Sequence, residues 1–168
     1  MPSVSRHVVV EAPRAAVWAT LADLGAVSVW NPAVDHSAET ADEAGPAGVG
    51  SARHCELPGS MGAVDEVVTD WQDQQSMELE VRGARMMRSM RARYDLETVG
   101  AGTQVTMSSE FRMAFGPIGA LMAATMGKRL IARTMDQTLG GLKAHVETMS
   151  APPDSPAPPS SEPSSPGR

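Results

Sequence analysis

Four side chains stand where acid–base chemistry on a small molecule is conceivable: His36, Arg53, Glu66 and Tyr94. His36 follows the Trp30-Asn31-Pro32 turn and carries the one side-chain type that titrates near neutrality unaided. As a general base it needs a ligand proton within hydrogen-bond reach; otherwise it is a partly exposed histidine at a strand end. Glu66 sits in the largely apolar run Ala63 to Val68. Facing inward, its carboxylate is desolvated and its pKa rises unless it meets Arg53. A buried Arg53–Glu66 pair is as easily structural as functional. The strand parity is ambiguous, because Asp65 and Val67 compete with Glu66 and Val68 for the inner face. Tyr94 is the only tyrosine, and its parity points inward. A buried hydroxyl seeks a partner, here a ligand carbonyl, Ser109 or a water.

Other chemistries find little support. The four histidines are scattered singly, with no HxH, HExxH or paired-carboxylate spacing, so no metal site is expected. His54 shares a strand with Cys55 and Leu57 of opposite parity and should face outward; His7 and His145 have no suggestive neighbours. Gly45, Gly48 and Gly50 read as turn glycines, no phosphate-binding motif appears, and no cofactor is expected. Cys55 stands alone, which excludes an intrachain disulfide. With a formal net charge of -6 and no basic run, nucleic acid is not an expected partner. Arg82, Arg85, Arg88, Arg91 and Arg93 read as a solvated face on a strand pair. The first ten residues lack an apolar signal core. The longest apolar stretch, Ile118 to Met126, would rise only about 14 Å as a helix, too short for a bilayer. The expectation is a soluble, cytoplasmic protein without an integral membrane segment.

The elements that must position the four candidates are read from periodicity. Val4 to Val10 forms a first strand. Ala12-Pro13-Arg14 opens a helix, with Pro13 suited to the first helical position. Val17, Trp18, Leu21 and Leu24 share one helical face, and Gly25 ends it. A short second helix follows with Val27, Val29 and Trp30, before Asn31-Pro32 breaks it. The period then becomes two. Ser51–Leu57, Ala63–Trp71, Met77–Val81, Arg88–Thr98 and Thr103–Met113 read as strands. Met77, Leu79 and Val81 share an inner face, as do Met90, Ala92, Tyr94 and Leu96, and as do Val105, Met107, Ser109, Phe111 and Met113. Such alternation means an antiparallel sheet with one covered face. Gly100-Ala101-Gly102 fits a hairpin turn. Pro117 to Met149 supplies the cover, a long helix with Ile131, Met135, Leu139, Leu142 and Val146 on one stripe. The domain expected is 1–149. Residues 150–168, nearly all Pro, Ser, Ala and acidic, form a tail expected to be disordered.

This order carries familiar punctuation. It includes Val10-Glu11-Ala12-Pro13, then Val17-Trp18, Leu21 and Asp23, then Trp30-Asn31-Pro32 with Val34. It continues with Gly48-Val49-Gly50 leading to Arg53, Glu66 through Asp70-Trp71, and Gly102-Thr103-Gln104-Val105-Thr106. Over Val4 to Val146 the chain resembles the START-like helix-grip (SRPBCC) superfamily, and within it the polyketide cyclase/dehydrase and lipid-transport branch. The resemblance implies an α+β helix-grip fold. A curved antiparallel sheet of six to seven strands wraps the long C-terminal helix, two short helices follow the first strand, and a cavity lies between sheet and helix. Guests in such relatives are lipids, sterols, polyketides, plant hormones and other apolar molecules. The branch has no shared catalytic set to carry over.

The composition suits a container. Twelve methionines stand against two phenylalanines and one tyrosine, and methionine either packs irregular space or lines an adaptable pocket. The expected function is binding of a small apolar or aromatic molecule, lipid or polyketide-like. Trp30, Met77, Met90, Tyr94, Met107, Ser109, Phe111, Met122 and Met126 are the expected ligand-binding residues. Trp30 either stacks on the guest at the cavity mouth or anchors helix to sheet. The alternative is a polyketide aromatase/cyclase or dehydratase drawing on His36, Arg53, Glu66 or Tyr94. Ile118 to Met126, apolar on every side, caps the cavity, forms a homodimer contact or touches a membrane surface, in that order.

Overall fold

The computed structural model describes residues 3–40, 47–85, 87–114 and 126–151. Three consecutive β-branched valines end the first strand, β1 (Ser3–Val10). Three short helical pieces follow: α1 (Arg14–Ala22), a 3-10 turn (Leu24–Ala26) and α2 (Val27–Trp30). Six strands come next: β2 (His36–Glu39), β3 (Ala52–Leu57), β4 (Gly62–Gln72), β5 (Ser76–Arg82), β6 (Met87–Val99) and β7 (Gly102–Met113). The final helix, α3, covers Lys128–Ser150. All neighbouring strands are antiparallel, in the order β1-β7-β6-β5-β4-β3-β2.

The expected elements are present, with adjustments at their ends. Pro13 occupies the cap position rather than the first helical one, and its extended backbone launches α1 at Arg14. The first helix stops at Ala22, and Leu24 and Gly25 belong to the 3-10 turn behind it. β2 was not among the strands read from periodicity. It has four residues, only Ser37 is buried, and it lies at the sheet edge. Of the helix expected from Pro117, the part from Lys128 is described and runs to Ser150; Ile118 to Thr125 and residues 152–168 lie outside the described residues. The β6–β7 turn is the tight one expected, with Val99 opposite Gly102 and Gly100 at a φ of 59°. Arg82, Arg85, Arg88 and Arg91 are exposed. Arg93 is half-buried on the outer face, bonded to Asp95 at 2.9 Å, Asp70 at 3.1 Å and Ser76 at 2.9 Å.

The inner face of the sheet is met by α3, whose buried stripe is Ile131, Met135, Thr138, Leu139, Leu142 and Val146. That helix packs chiefly on β1, with further contact to β7, α1 and α2. Polar bonds clamp its C-terminal half to the end of β1. Lys143 Nζ donates to the Val9 carbonyl at 2.7 Å and to Glu147 Oε1 at 2.6 Å, and the Glu11 amide donates to the same oxygen at 2.7 Å. Lys143 foremost, then the Glu11 amide, holds the Glu147 carboxyl below its ordinary pKa.

Gly141 lets α3 approach α2. A Cβ there would run into the Trp30 carbonyl oxygen and stand 2.7 Å from Pro32 Cδ, whereas one on Gly140 would meet nothing within 4 Å. The two adjacent glycines therefore respond oppositely to alanine. Gly140→Ala is expected to raise stability by about 0.5–1 kcal/mol by removing glycine's backbone entropy. Gly141→Ala is expected to lower it by about 1–3 kcal/mol through overpacking. Urea denaturation of both variants measures the signs; a stabilised Gly141→Ala would mean that α3 does not seat against α2.

Candidate ligand cavity

A hollow of about 460 Å³ lies between α3 and the part of the sheet that α3 does not cover. Its floor comes from inward positions on four strands and one reach from the fifth: Arg53 and Leu57 on β3, Val64 and Glu66 on β4, Val81 on β5, Met87, Met90, Ala92 and Tyr94 on β6, and Met107 on β7. The opposite wall is α3, through Leu130, Ile131, Thr134, Met135, Gln137 and Thr138. Asn31 to Val34, Pro58, Met61 and Ala84 complete the lining. Leu130 and Met61 are largely exposed, at 61% and 51%, so they stand at the rim.

Register decides the parity that periodicity left open. Glu66 pairs with Arg53 across β3 and β4, and Val64, Glu66 and Val68 take the inner face. A register shift between Val68 and Asp70 ends that alternation. Arg53 is only 4% exposed, and its Nε donates to Glu66 Oε2 at 2.6 Å. Burial works against the Arg53 charge most strongly. The Glu66 carboxylate, by charge and hydrogen bond, together with Tyr94 and Cys55 outweighs that penalty, and the guanidinium is held above its ordinary pKa. Arg53 is thus a fixed cation. Glu66 Oε1 takes no hydrogen bond from any of the described residues.

Tyr94 lines the same hollow and is 3% exposed. Burial drives its hydroxyl well above the usual phenol range, while Arg53 pulls less strongly the other way. It is therefore a neutral donor and acceptor, and a poor general base. Of the partners expected for it, Ser109 is not one: the Ser109 hydroxyl is buried without a hydrogen bond among the described residues. On the helix side, Thr138 Oγ1 donates to Asn31 Oδ1 at 3.1 Å, and the Ala33 amide donates to the same oxygen at 3.0 Å. This bond ties the lip formed by the Asn31-Pro32 turn to α3. The sheet wall can therefore hydrogen-bond a carbonyl or hydroxyl through Arg53, Glu66 and Tyr94, the α3 side adds Thr134, Gln137 and Thr138, and most of the remainder is aliphatic and thioether.

Several expected site residues lie elsewhere. His36 is exposed on edge strand β2 opposite Glu56, away from the hollow. Trp30 is 5% exposed but lines a different hollow of about 330 Å³ between α1, α2 and the end of α3, and its Nε1 has no partner among the described residues. Met77, Ser109 and Phe111 have the expected inward parity, yet at 1%, 0% and 0% exposure they belong to the solid core and do not line the hollow. Met126 is 71% exposed, beside a groove between α3 and the start of β1, and Met122 lies outside the described residues. Met90, Tyr94 and Met107 do line it, together with Arg53 and Glu66. Leu57, Met61, Met87, Met135 and Thr138 line it too, beyond the ligand-binding residues that the sequence pattern singles out. His54 faces outward and bonds Asp65 at 2.7 Å. Among the described residues, no group of His, Cys, Asp and Glu could hold a metal ion. No described helix is long and apolar enough to cross a membrane.

Residues 1–147 match the family described as polyketide cyclase / dehydrase and lipid transport. The chain belongs to that family. Its solved structural neighbours carry the START-like helix-grip fold. A START superfamily protein from Mycobacterium smegmatis aligns over 88% of this chain and 99% of its own, at 16% identity and a TM-score of 0.73. The ZhuI aromatase/cyclase from Streptomyces sp. R1128 aligns over 89% and 96%, at 17% identity and a TM-score of 0.73. The di-domain aromatase/cyclase BexL aligns over 90% of this chain and 48% of its own, at 16% identity and a TM-score of 0.73. Among curated proteins, none matches the sequence. At these identities the structural likeness concerns the fold alone.

Cys55 neighbours the ion pair on β3 and tests its surroundings. Burial foremost raises its thiol pKa to about 11, and it is 1% exposed. At pH 8 iodoacetamide should alkylate it at least about 100-fold more slowly than free cysteine, because the thiolate is the nucleophile. Labelling at the free rate would place Cys55 outside the core. Arg53→Met leaves Glu66 without its cation and should cost about 3 kcal/mol. The lower end of the range for broken buried pairs is expected because Glu66 is 17% exposed. The double change with Glu66→Met should recover most of that loss in urea melts.

Proposed function

We propose that this family member binds a small, largely apolar or aromatic molecule in the hollow between the sheet and α3. One observation carries the reading: about 460 Å³ of space, walled by Met87, Met90, Met107, Met135 and aliphatic side chains, lies between the sheet and α3. Hollows of this size are typical of small-molecule sites. Each apolar side chain covered by a guest contributes about 1.5–3 kcal/mol before ordering costs, so several suffice for micromolar binding. Methionines allow the wall to adapt to guests of different outline. The lipid-transport half of the family description and the START superfamily neighbour agree with a carrier.

A second reading is favoured by one specific arrangement. Arg53, Glu66 and Tyr94 converge on the hollow, and two structural neighbours are aromatase/cyclases. In a cyclase or dehydratase acting on a poly-β-ketone, Arg53 and the neutral Tyr94 hydroxyl would polarise a ketone oxygen, and Glu66 would accept a proton. His36 has no part in this reading, since it is exposed and off the hollow.

Native mass spectrometry of protein purified from its own host, followed by solvent extraction, tests the container directly. A co-purifying apolar molecule is the expected result; an empty protein that also takes up no hydrophobic dye would count against it. Ala92→Phe sharpens the test, because Ala92 stands on the floor of the hollow. Dye affinity should fall at least tenfold while the melting temperature changes little. If that space is instead packed solid, the same substitution overpacks it, costs about 1–3 kcal/mol and leaves no dye binding to lose.

A further inference from the structure

The charges inside the hollow choose among guests. Of the described residues that line it, Arg53 and Glu66 are the only charged ones. An arginine alone on an apolar wall would demand an anion. Here that demand is already met, since Glu66 Oε2 holds Arg53 Nε at 2.6 Å and the guanidinium is nine-tenths buried. The wall is therefore neutral as a unit. A carboxylate, sulfonate or phosphate entering it would leave one uncompensated negative charge in a medium that solvates charge poorly. An uncharged guest adds no charge. Its hydroxyl can donate to Glu66 Oε1, which takes no hydrogen bond from the described residues, and its carbonyl can accept from Tyr94 or Arg53.

We infer that Glu66 is the specificity-determining residue of the hollow, admitting uncharged alcohols, phenols and ketones and rejecting anionic guests such as fatty-acid or aromatic carboxylates. The inference rests on the proposed binding function and deepens it by naming the class of guest. It also gives the pair a role that packing does not supply. Glu66→Gln keeps the volume of the side chain and one acceptor oxygen, turns the other acceptor into a donor, and releases the Arg53 charge. Selection in that variant should turn toward anions.

The test uses the full chain and three probes: the neutral fluorophore N-phenyl-1-naphthylamine, and, as its competitors, 2-naphthalenemethanol and 2-naphthoate. The competitors share a ring and nearly the same outline and differ in charge at pH 7.5. The wild-type protein should bind the alcohol at least tenfold more tightly than the carboxylate. In Glu66→Gln that ratio should shrink at least tenfold or invert, chiefly through tighter binding of the carboxylate. Circular dichroism checks folding, and Glu66→Ala is the second variant should the glutamine form not fold; it should shift the ratio the same way. A wild-type protein that takes the carboxylate as readily as the alcohol would overturn the inference. So would a folded Glu66 variant with an unchanged ratio. In both cases the neutral fluorophore still binds and the container stands. Failure of the fluorophore to bind at all would overturn the container reading, and the selection with it.

Discussion

One helix cannot cover a seven-stranded sheet, and the arrangement of this protein follows from that mismatch. A helix with its side chains is about 10 Å across, while strands stand about 4.8 Å apart. α3 therefore covers two or three strands, and it is held to the β1–β7 side by the Lys143–Glu147 clamp and by its buried stripe, while Gly141 seats it against α2. Under it the core is solid, with Val10, Val105, Phe111 and Leu142 fully buried. Over β3 to β6 the concave face has no such cover. Curvature brings those strands back toward the helix, and the gap between is the hollow. Seating the helix is thus what creates the empty space, and Gly141 permits the close seating against Trp30 and Pro32 at its lip.

Side-chain character follows the same division. Where the helix touches the sheet, shape must match, and valine, leucine and phenylalanine dominate. Where it does not, the walls are methionine-rich: Met87, Met90, Met107 and Met135 line the hollow, with Met61 at its rim. An unbranched thioether has several rotatable bonds and loses little by changing rotamer, so such a wall tolerates both occupied and unoccupied states. A branched aliphatic wall of equal area would be stiffer at χ1. The unusual methionine content of the chain thus has a local physical sense.

The fold was legible in the sequence because both of its periods are strong. Alternation over Met77–Val81, Arg88–Thr98 and Thr103–Met113 assigns the inner face correctly, and the α3 stripe is a regular helical one. What periodicity cannot report is position across the sheet. Met77, Ser109 and Phe111 share parity with Met90 and Met107, but α3 and its neighbours fill the space above the first set and leave it open above the second. Edge strand β2 is invisible to periodicity because four mostly exposed residues carry almost no pattern. The Glu66 parity needed the register with Arg53, which is a tertiary fact. Rim residues such as Met61 and the α3 positions Thr134 and Gln137 had no local signal, since they sit at a hairpin and on the half-exposed side of a helix.

Stability alone gives no reason for an ion pair on this wall. Burying a guanidinium and a carboxylate costs desolvation free energy that their attraction seldom exceeds, and apolar replacements of equal volume are often neutral or stabilising. The pair is also not needed to join distant elements, since β3 and β4 are already hydrogen-bonded neighbours whose register carries both residues. Its one distinguishing property is location. It lies against the hollow, beside a tyrosine kept neutral by burial, on a wall that otherwise offers a guest little but hydrocarbon and sulfur. A group that contributes little to folding and faces the open space is best understood by what it does to an occupant. Neutralised in place, the pair lets the cavity tell guests apart by charge and hydrogen-bonding capacity, a distinction that apolar area alone cannot make.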